Sequence, residues 1–414
     1  MLVDPHKRVF PAPHRSNISL TVGREGGDLR GEDQRAIQAA IEYVAGLGGG
    51  TVRLLPAVYE CYNTIRLRSG VRLVGAAPGV VLRKSAGFET PLTLDADYGE
   101  TTLCVSEPDH WSPGMGVTVG DNRTTGWQEV VATVTAVEDE LVYLDRPLTG
   151  ADVAVERGGV ARHIFPVIAI EDCERVEVAD LVVEGARLAN GRLNGCIGAG
   201  VYAYRSRAVT LRRCTVRDFN GDGISFQTTD DLVAEGCEVR GCTGLGLHPG
   251  SGSQRPKVLG CRLRRNGEDG LFLCWRVQHG VFADNEIEGN SRHGLSLGHK
   301  DTHNLFEGNR ILGNGGHGVL FREESEDLAA HECVFRRNTI EDNGRRVPDG
   351  CGIRVEGATT GLSFQYNRVL NNPGGRQRFG LWVGPRADGI AMTDNLVEGH
   401  ELADVLLPMP GGSA

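Results

Sequence analysis

The sequence predicts an all-β chain wound as a right-handed parallel β-helix, and three observations predict it. Glycine makes up 58 of 414 residues, about twice the ~7% of ordinary chains and without the every-third-residue period of collagen, so turns recur often. A glycine followed by an apolar, a free and an apolar residue recurs at Gly200, Gly223, Gly246, Gly270, Gly294, Gly318, Gly352 and Gly380, with spacings of 23, 23, 24, 24, 24, 34 and 28 residues. Each repeat is one coil. A second column, Cys214, Cys237, Cys261, Asn285, Asn309, Asn338, Asn367 and Asn395, keeps the same register, and a third follows five residues on at Cys242, Asn266, Asn290, Asn314, Asn343 and Asn372. Short polar side chains that stack at an inward turn and bond the backbone of the next coil explain both columns, with small thiols filling the same place.

Taken in chain order, residues 1–30 read as an N-terminal extension and 31–100 as a capping helix with the first coils. Ile37, Ala40, Ile41, Val44 and Ala45 share one helical face, and Gly46 with the run from Gly48 to Gly50 ends the helix. Such a helix closes the end of a solenoid, which otherwise exposes core and strand edges. Thr51-Val52-Arg53-Leu54-Leu55 and Gly70-Val71-Arg72-Leu73-Val74 fit early coils. Over 101–154 the 24-residue rhythm vanishes, and alternation at Val130 to Thr135 and Leu141 to Leu144 predicts a small β-rich insertion, either the wall of a groove or a decoration. The main solenoid spans 155–407, with a tail at 408–414. Inside it the segments after the anchors, such as Ile224-Ser225-Phe226 and Leu295-Ser296-Leu297, alternate with strand period, and Leu247-His248-Pro249 is the irregular member. Coils this short with no helical period exclude leucine-rich and helical repeats.

Composition narrows the partners. With 44 Lys and Arg against 54 Asp and Glu the formal charge is −10, which excludes a general phosphate-binding surface and with it nucleic acid. The 40% hydrophobic content excludes intrinsic disorder. No secretory apolar stretch opens the sequence and no window of 18 apolar residues occurs, so neither export nor a membrane is expected. Eleven cysteines without a CxxC pair read as reduced thiols, hence a cytoplasmic expectation unless a signal has been trimmed from a mature form. Oligomeric state is not legible.

Equivalent positions on stacked coils lie about 4.8 Å apart, so a column in sequence is a line of side chains in space. The position before the anchors reads Asp222, Leu245, Asp269, His293, His317. A denser group begins at nearly equivalent places in three coils: Cys274-Trp275-Arg276, His299-Lys300-Asp301 and Arg322-Glu323-Glu324. A further column reads Asp231, Arg255, His279, His303, Glu332. An indole face such as that of Trp275 accepts the C–H face of a pyranose. Arg276, Lys300 and Arg322 either hold a carboxylate or sulfate or pair with Glu323, Glu324 and Asp301. His248, Arg255, His279, His303 and Glu324 complete the candidate binding residues, and His299 and Glu323 join Asp222, Glu268, Asp269 and His293 as candidate acid/base groups. No cofactor is expected; calcium or another divalent metal is compatible with His299, Asp301 and His303 but is not predicted.

The AIQAAI helix, the GGGTVRLLPAVYE strand and turn, and the glycine-anchored coils resemble the pectate-lyase-like superfamily of parallel β-helix proteins over most of the chain. That superfamily contains hydrolases, lyases, epimerases and phage tailspikes, so the resemblance alone does not give the reaction. Glu268-Asp269-Gly270 looks like the Asp-Asp pair of the polygalacturonase family, and His293-Gly294-Leu295-Ser296-Leu297-Gly298 looks like its His-Gly segment. Leu245 stands where that family has its first Asp, and Leu320-Phe321-Arg322 keeps only a cation at its Lys place. The resemblance implies cleavage of glycosidic bonds in an acidic or decorated poly- or oligosaccharide. Hydrolysis would use Glu268 or Asp269 as general acid, Asp222 or the other acid as base, His293 as a partner and Arg322 as a clamp. The alternatives are a lyase or epimerase, in which Arg276, Lys300, His299 or His303 removes the proton beside a uronate carboxylate, and a non-catalytic glycan-binding β-helix.

Overall fold

The computed structural model describes residues 18–407, and they form a parallel β-helix of three long sheets with 11, 13 and 11 strands. Each coil leaves an anchor glycine into the anchor sheet, turns into the middle sheet, passes the first Asn/Cys turn into the return sheet, and comes back through the second Asn/Cys turn. Strands of successive coils pair in parallel without slippage: Ile224 lies beside Leu247, Val258 beside Phe282, and Leu263 beside Ile287. Leu247–Gly250, irregular in sequence, is a regular strand of the anchor sheet.

The columns have direct physical causes. Asn309 Oδ1 accepts from both the backbone N–H and the side-chain amide of Asn285, at 3.0 and 2.9 Å, while its own amide donates to the Phe282 carbonyl. The same pattern runs from Asn338 to Asn367 and through the second turn at Asn266, Asn290 and Asn314. These Asn turns thus bury their side-chain amides bonded. Asn372 breaks the expected column. It is exposed and bonds Asp342, while Gln377 takes the ladder place beside Asn343 at 3.0 Å, because the turn is longer in that coil. The anchors are glycine for want of room: a Cβ on Gly223 would lie 2.1 Å from Val239 Cγ1, and one on Gly294 2.4 Å from Ile311 Cγ2. The interior is filled by the β-branched and aromatic residues of the three inner faces, including the stack Phe282, Phe306 and Phe335 with ring centroids 4.9 and 4.4 Å apart.

Helix α1 (Gln34–Gly46) is N-capped by Asp33, whose carboxylate accepts the Arg35 N–H. It buries Ile37, Ala40, Ile41 and Val44 completely against the first strands of the solenoid, as the sequence pattern predicts. Two boundaries differ from expectation. Ser19–Gly23 is already a solenoid strand, paired with Gly50–Leu54, so the N-terminal extension ends earlier than residue 30. The insertion is wider than 101–154: its six-stranded, antiparallel sheet runs from Glu89–Pro91 to Val160–Arg162 around its own core, including Trp111, Val119 and Val142. The outer strands of each element are short and unpatterned, which hides them from periodicity. No helix among the described residues is long and apolar enough to cross a membrane.

Candidate functional site

Alternation along the anchor sheet sends Leu247, Leu271 and Leu295 into the core and the residues beside them outward. The outward line is Tyr202, Ser225, His248, Phe272, Ser296, Leu320, Arg354 and Trp382, one per coil. Every one stands two residues after an anchor glycine. The line was therefore present in the sequence, but columns before the anchors and beyond the strands drew attention instead.

His248 and Asp222 meet on this face. His248 Nδ1 lies 2.8 Å from Asp222 Oδ2, and Asp222 Oδ1 accepts the Leu245 N–H at 2.9 Å. Both side chains are over nine-tenths closed off. A carboxylate only accepts, so Nδ1 carries the hydrogen; in the neutral imidazole Nε2 then holds the lone pair, and among the described residues Nε2 has no hydrogen-bond partner. The loop between Gly185 and Ala199 covers the pair: a Cβ on Gly195 would lie 1.7 Å from Asp222 Oδ2 and 3.0 Å from His248 Nδ1. Ser225 Oγ donates to the Gly195 carbonyl at 2.6 Å, and Arg192 reaches Glu268 at 2.6 Å. Phe272 presents its ring to His248 in a T-shaped contact at 5.4 Å.

Beyond Phe272 a second cluster forms. The Arg322 guanidinium lies over Phe272 at 4.5 Å and donates to Ser296 Oγ (2.9 Å) and the Leu273 carbonyl (2.8 Å), with Asp301 Oδ2 at 3.4 Å. Asp301 is fully buried; burial pushes its carboxyl up to about 7, outweighing Arg322 and the N–H groups of Val277 and Gly298 that it accepts. His299 Nε2 lies 2.9 Å from Glu324 Oε1, and the ring stacks under Trp275 with centroids 4.7 Å apart, leaving the indole 44% exposed. Burial, then Arg322, hold its imidazole below the usual value against the pull of Glu324.

The rungs align Trp275 with His299 and Arg276 with Lys300. Arg276 and Lys300 both adopt φ of 65°, at the place where the preceding coil has Gly252 with φ of 85°. Left-handed backbone costs long side chains about 1 kcal/mol or more each, and among the described residues neither cation has a carboxylate at ion-pair distance. Arg322 does not continue this line as expected. Lys300 pairs with Leu328 of the next coil, whose longer loop places Arg322 earlier, so its guanidinium turns back under the groove and is engaged internally.

The remaining expected residues lie elsewhere. Asp269 is fully buried and accepts the His293 N–H at 2.9 Å; His293 Nδ1 accepts from His317 N, and His317 Nδ1 from Cys351 N. The column before the anchors is therefore a third acceptor ladder, and Asp222 departs from it by giving its other oxygen to His248. Asp269 and His293 are not brought together with Asp222 over an open groove. Glu323 is exposed and paired with Arg386. Arg255, His279 and His303 form a rung-by-rung line at the far turn, with Arg255 on Asp231 (2.7 Å), His279 stacked on His303 (5.2 Å) and His303 beside Glu332 (3.1 Å). The insertion does reach the groove's flank, since Trp127 lies 5.2 Å from the Tyr204 ring.

With this geometry in hand, the sequence matches the right handed beta helix region family over residues 181–302 and 299–397, and the chain belongs to that family of right-handed parallel β-helices. Its fold is similar to that of the A-module of mannuronan C-5 epimerase AlgE4 from Azotobacter vinelandii, with 15% identity, a TM-score of 0.55, and 94% of this chain and 98% of that one covered. It is also similar to an exopolygalacturonase from Thermotoga maritima, with 14% identity, a TM-score of 0.51, and coverage of 94% and 88%. No curated protein sequence matches it.

Proposed function

We propose that the chain acts on a uronate-containing polysaccharide as a lyase or C-5 epimerase, with His248 as the base. The single observation that carries this reading is the Asp222–His248 pair: a carboxylate fixes the tautomer and leaves Nε2 unbonded on the outer face of the anchor sheet. Nε2 takes the proton from the carbon beside the uronate carboxylate, and the electron pair moves into that carboxylate. Asp222 stabilises the imidazolium that forms. Arg276 and Lys300, on the flank one and two coils along, offset the charge that builds on the substrate. Return of the electron pair then breaks the bond to the glycosidic oxygen at C4, which takes a proton from the imidazolium or from water, and gives an unsaturated uronate, whereas a proton taken from water on the opposite face gives the epimer. The structural similarity to an epimerase and to a polygalacturonase is compatible with a uronate substrate. Acid/base hydrolysis has less support, because Asp269 is buried in a ladder and Glu268 is tied to Arg192.

The test is incubation in deuterated water with polymannuronate, polygalacturonate, and neutral and sulfated glycans. Deuterium at C5 or ultraviolet absorbance from an unsaturated product is expected with a polyuronate, falling at least ~10²-fold in His248→Gln. New reducing ends without either signal would transfer the protein to the hydrolases, and binding without any product would leave a glycan-binding β-helix.

A further inference from the structure

Lys84 is fully buried, 1% exposed, and no carboxylate lies at ion-pair distance among the described residues. Its ammonium end bonds Asn190 Oδ1 and lies over the Phe165 ring at 4.3 Å. The titratable groups that face it are Cys61 on the neighbouring strand and His163 at the end of the insertion. Burial pushes the thiol up and His163 down to about 4, so both are uncharged near neutrality. His163 is itself fixed by the Gly116 carbonyl (2.8 Å) and Ser85 Oγ (3.0 Å). A lysine in such a place is an expensive way to fill space, since a methionine would pack there without a polar group to desolvate. What the lysine adds is a bond to one residue of one loop.

That loop is the one over the dyad. Asn190 also donates to the Ser85 and Ala186 carbonyls, both at 3.1 Å, and Gly87 N–H donates to the Ala189 carbonyl at 2.8 Å. Five residues on, Gly195 rests against Asp222 and His248. Between them, Arg192 is tied to Glu268 and the Gly191 carbonyl to the Asn220 side chain. The loop is thus held at its start by the early solenoid and at its middle by the dyad's own coil.

We propose that Lys84 is a positioning residue, which through Asn190 anchors the Gly185 to Ala199 loop over the Asp222–His248 pair. This rests on the reading of that pair as the reaction centre, but its test is made without substrate. Hydrogen exchange of amides 190–196 and the NMR signal of the His248 Nδ1–H are compared in wild type, Lys84→Met and Asn190→Ala, together with thermal midpoints. Lys84→Met is expected to melt at the same or a higher temperature at pH 7, while the loop amides exchange at least ~10-fold faster and the His248 Nδ1–H signal exchanges faster as water reaches Asp222. Asn190→Ala, which leaves Lys84 in place, is expected to loosen the same amides. Should Lys84→Met fail to fold, Asn190→Ala alone decides. Unchanged loop exchange and an unchanged His248 Nδ1–H signal in a folded variant overturn the anchor. A loosened loop with undiminished turnover of a polyuronate supports the anchor and shows that turnover does not need the loop held down, whereas undiminished turnover in His248→Gln removes the dyad as reaction centre, which separates the two ideas.

Discussion

At the scale of single residues, the closeness of Gly195 to Asp222 is the sharpest constraint in the groove. A methyl group there would sit 1.7 Å from Asp222 Oδ2, so either the loop lifts or the carboxylate leaves His248. Gly195→Ala is expected to lower turnover of a polyuronate at least ~10-fold, with loss of the slowly exchanging Nδ1–H signal of His248. Gly46→Ala, where a Cβ meets nothing within 4 Å, is the control and should leave both unchanged. Normal turnover in Gly195→Ala would mean that the loop is not a fixed roof. Asp222 and His248 were each visible as candidates in the sequence, but not as partners. One is a turn residue before an anchor and the other a strand residue after the next anchor, so no column joins them. Only the curl of the turn, with Leu245 N–H bonding one Asp222 oxygen, aims the other at the imidazole.

Elements were more legible than sites, and the Asn ladders show why. A ladder residue bonds its equivalents directly above and below, so chemistry and spacing repeat together and survive in sequence. Asn309→Ala would strand the buried Asn285 N–H, its side-chain amide and the Phe282 carbonyl. At about 1–3 kcal/mol for each unmet buried group, with partial relaxation, a loss of about 3–5 kcal/mol is expected in denaturant unfolding. Asn372→Ala, outside the ladder and exposed, should change stability by less than about 0.5 kcal/mol. Equal effects would mean that the columns pack rather than bond. Spacing failed at Asn372 because a lengthened turn hands the role to Gln377, and a count cannot register a residue that moves in space but not in sequence. Loop geometry defeats a count likewise at Arg322, whose coil spans 34 residues where the two before it span 24.

For the whole molecule, buried ionisable groups set how stability varies with pH. His163 is held at about 4, against 6.5 when unfolded, so the unfolded chain binds more protons between those values and stability rises with pH across that window, by up to about 3 kcal/mol. His317, which burial holds at about 3, acts in the same direction. Asp301 opposes them. Its folded value of about 7 against 3.8 means that the native state keeps a proton the unfolded chain releases, so its share of stability falls from pH 4 to 7. Lys84, at about 7 against 10.5, leaves the unfolded chain with the extra proton between pH 7 and 10.5, and stability rises again there, by up to about 5 kcal/mol. The thermal midpoint should therefore climb from pH 4 to 6.5, level off near 7, and climb once more above 7 until the thiols of Cys61, Cys242 and Cys333, which burial pushes up, keep protons that the unfolded chain releases. Asp301→Asn removes the opposing slope and should steepen the first climb, while Lys84→Met should abolish the second and, by removing a charge that helps to hold His163 down, weaken the first slightly. Calorimetry of the three proteins between pH 4 and 10 checks this. A second climb that persists in Lys84→Met would mean that the buried lysine is charged throughout, with water or an unseen anion beside it.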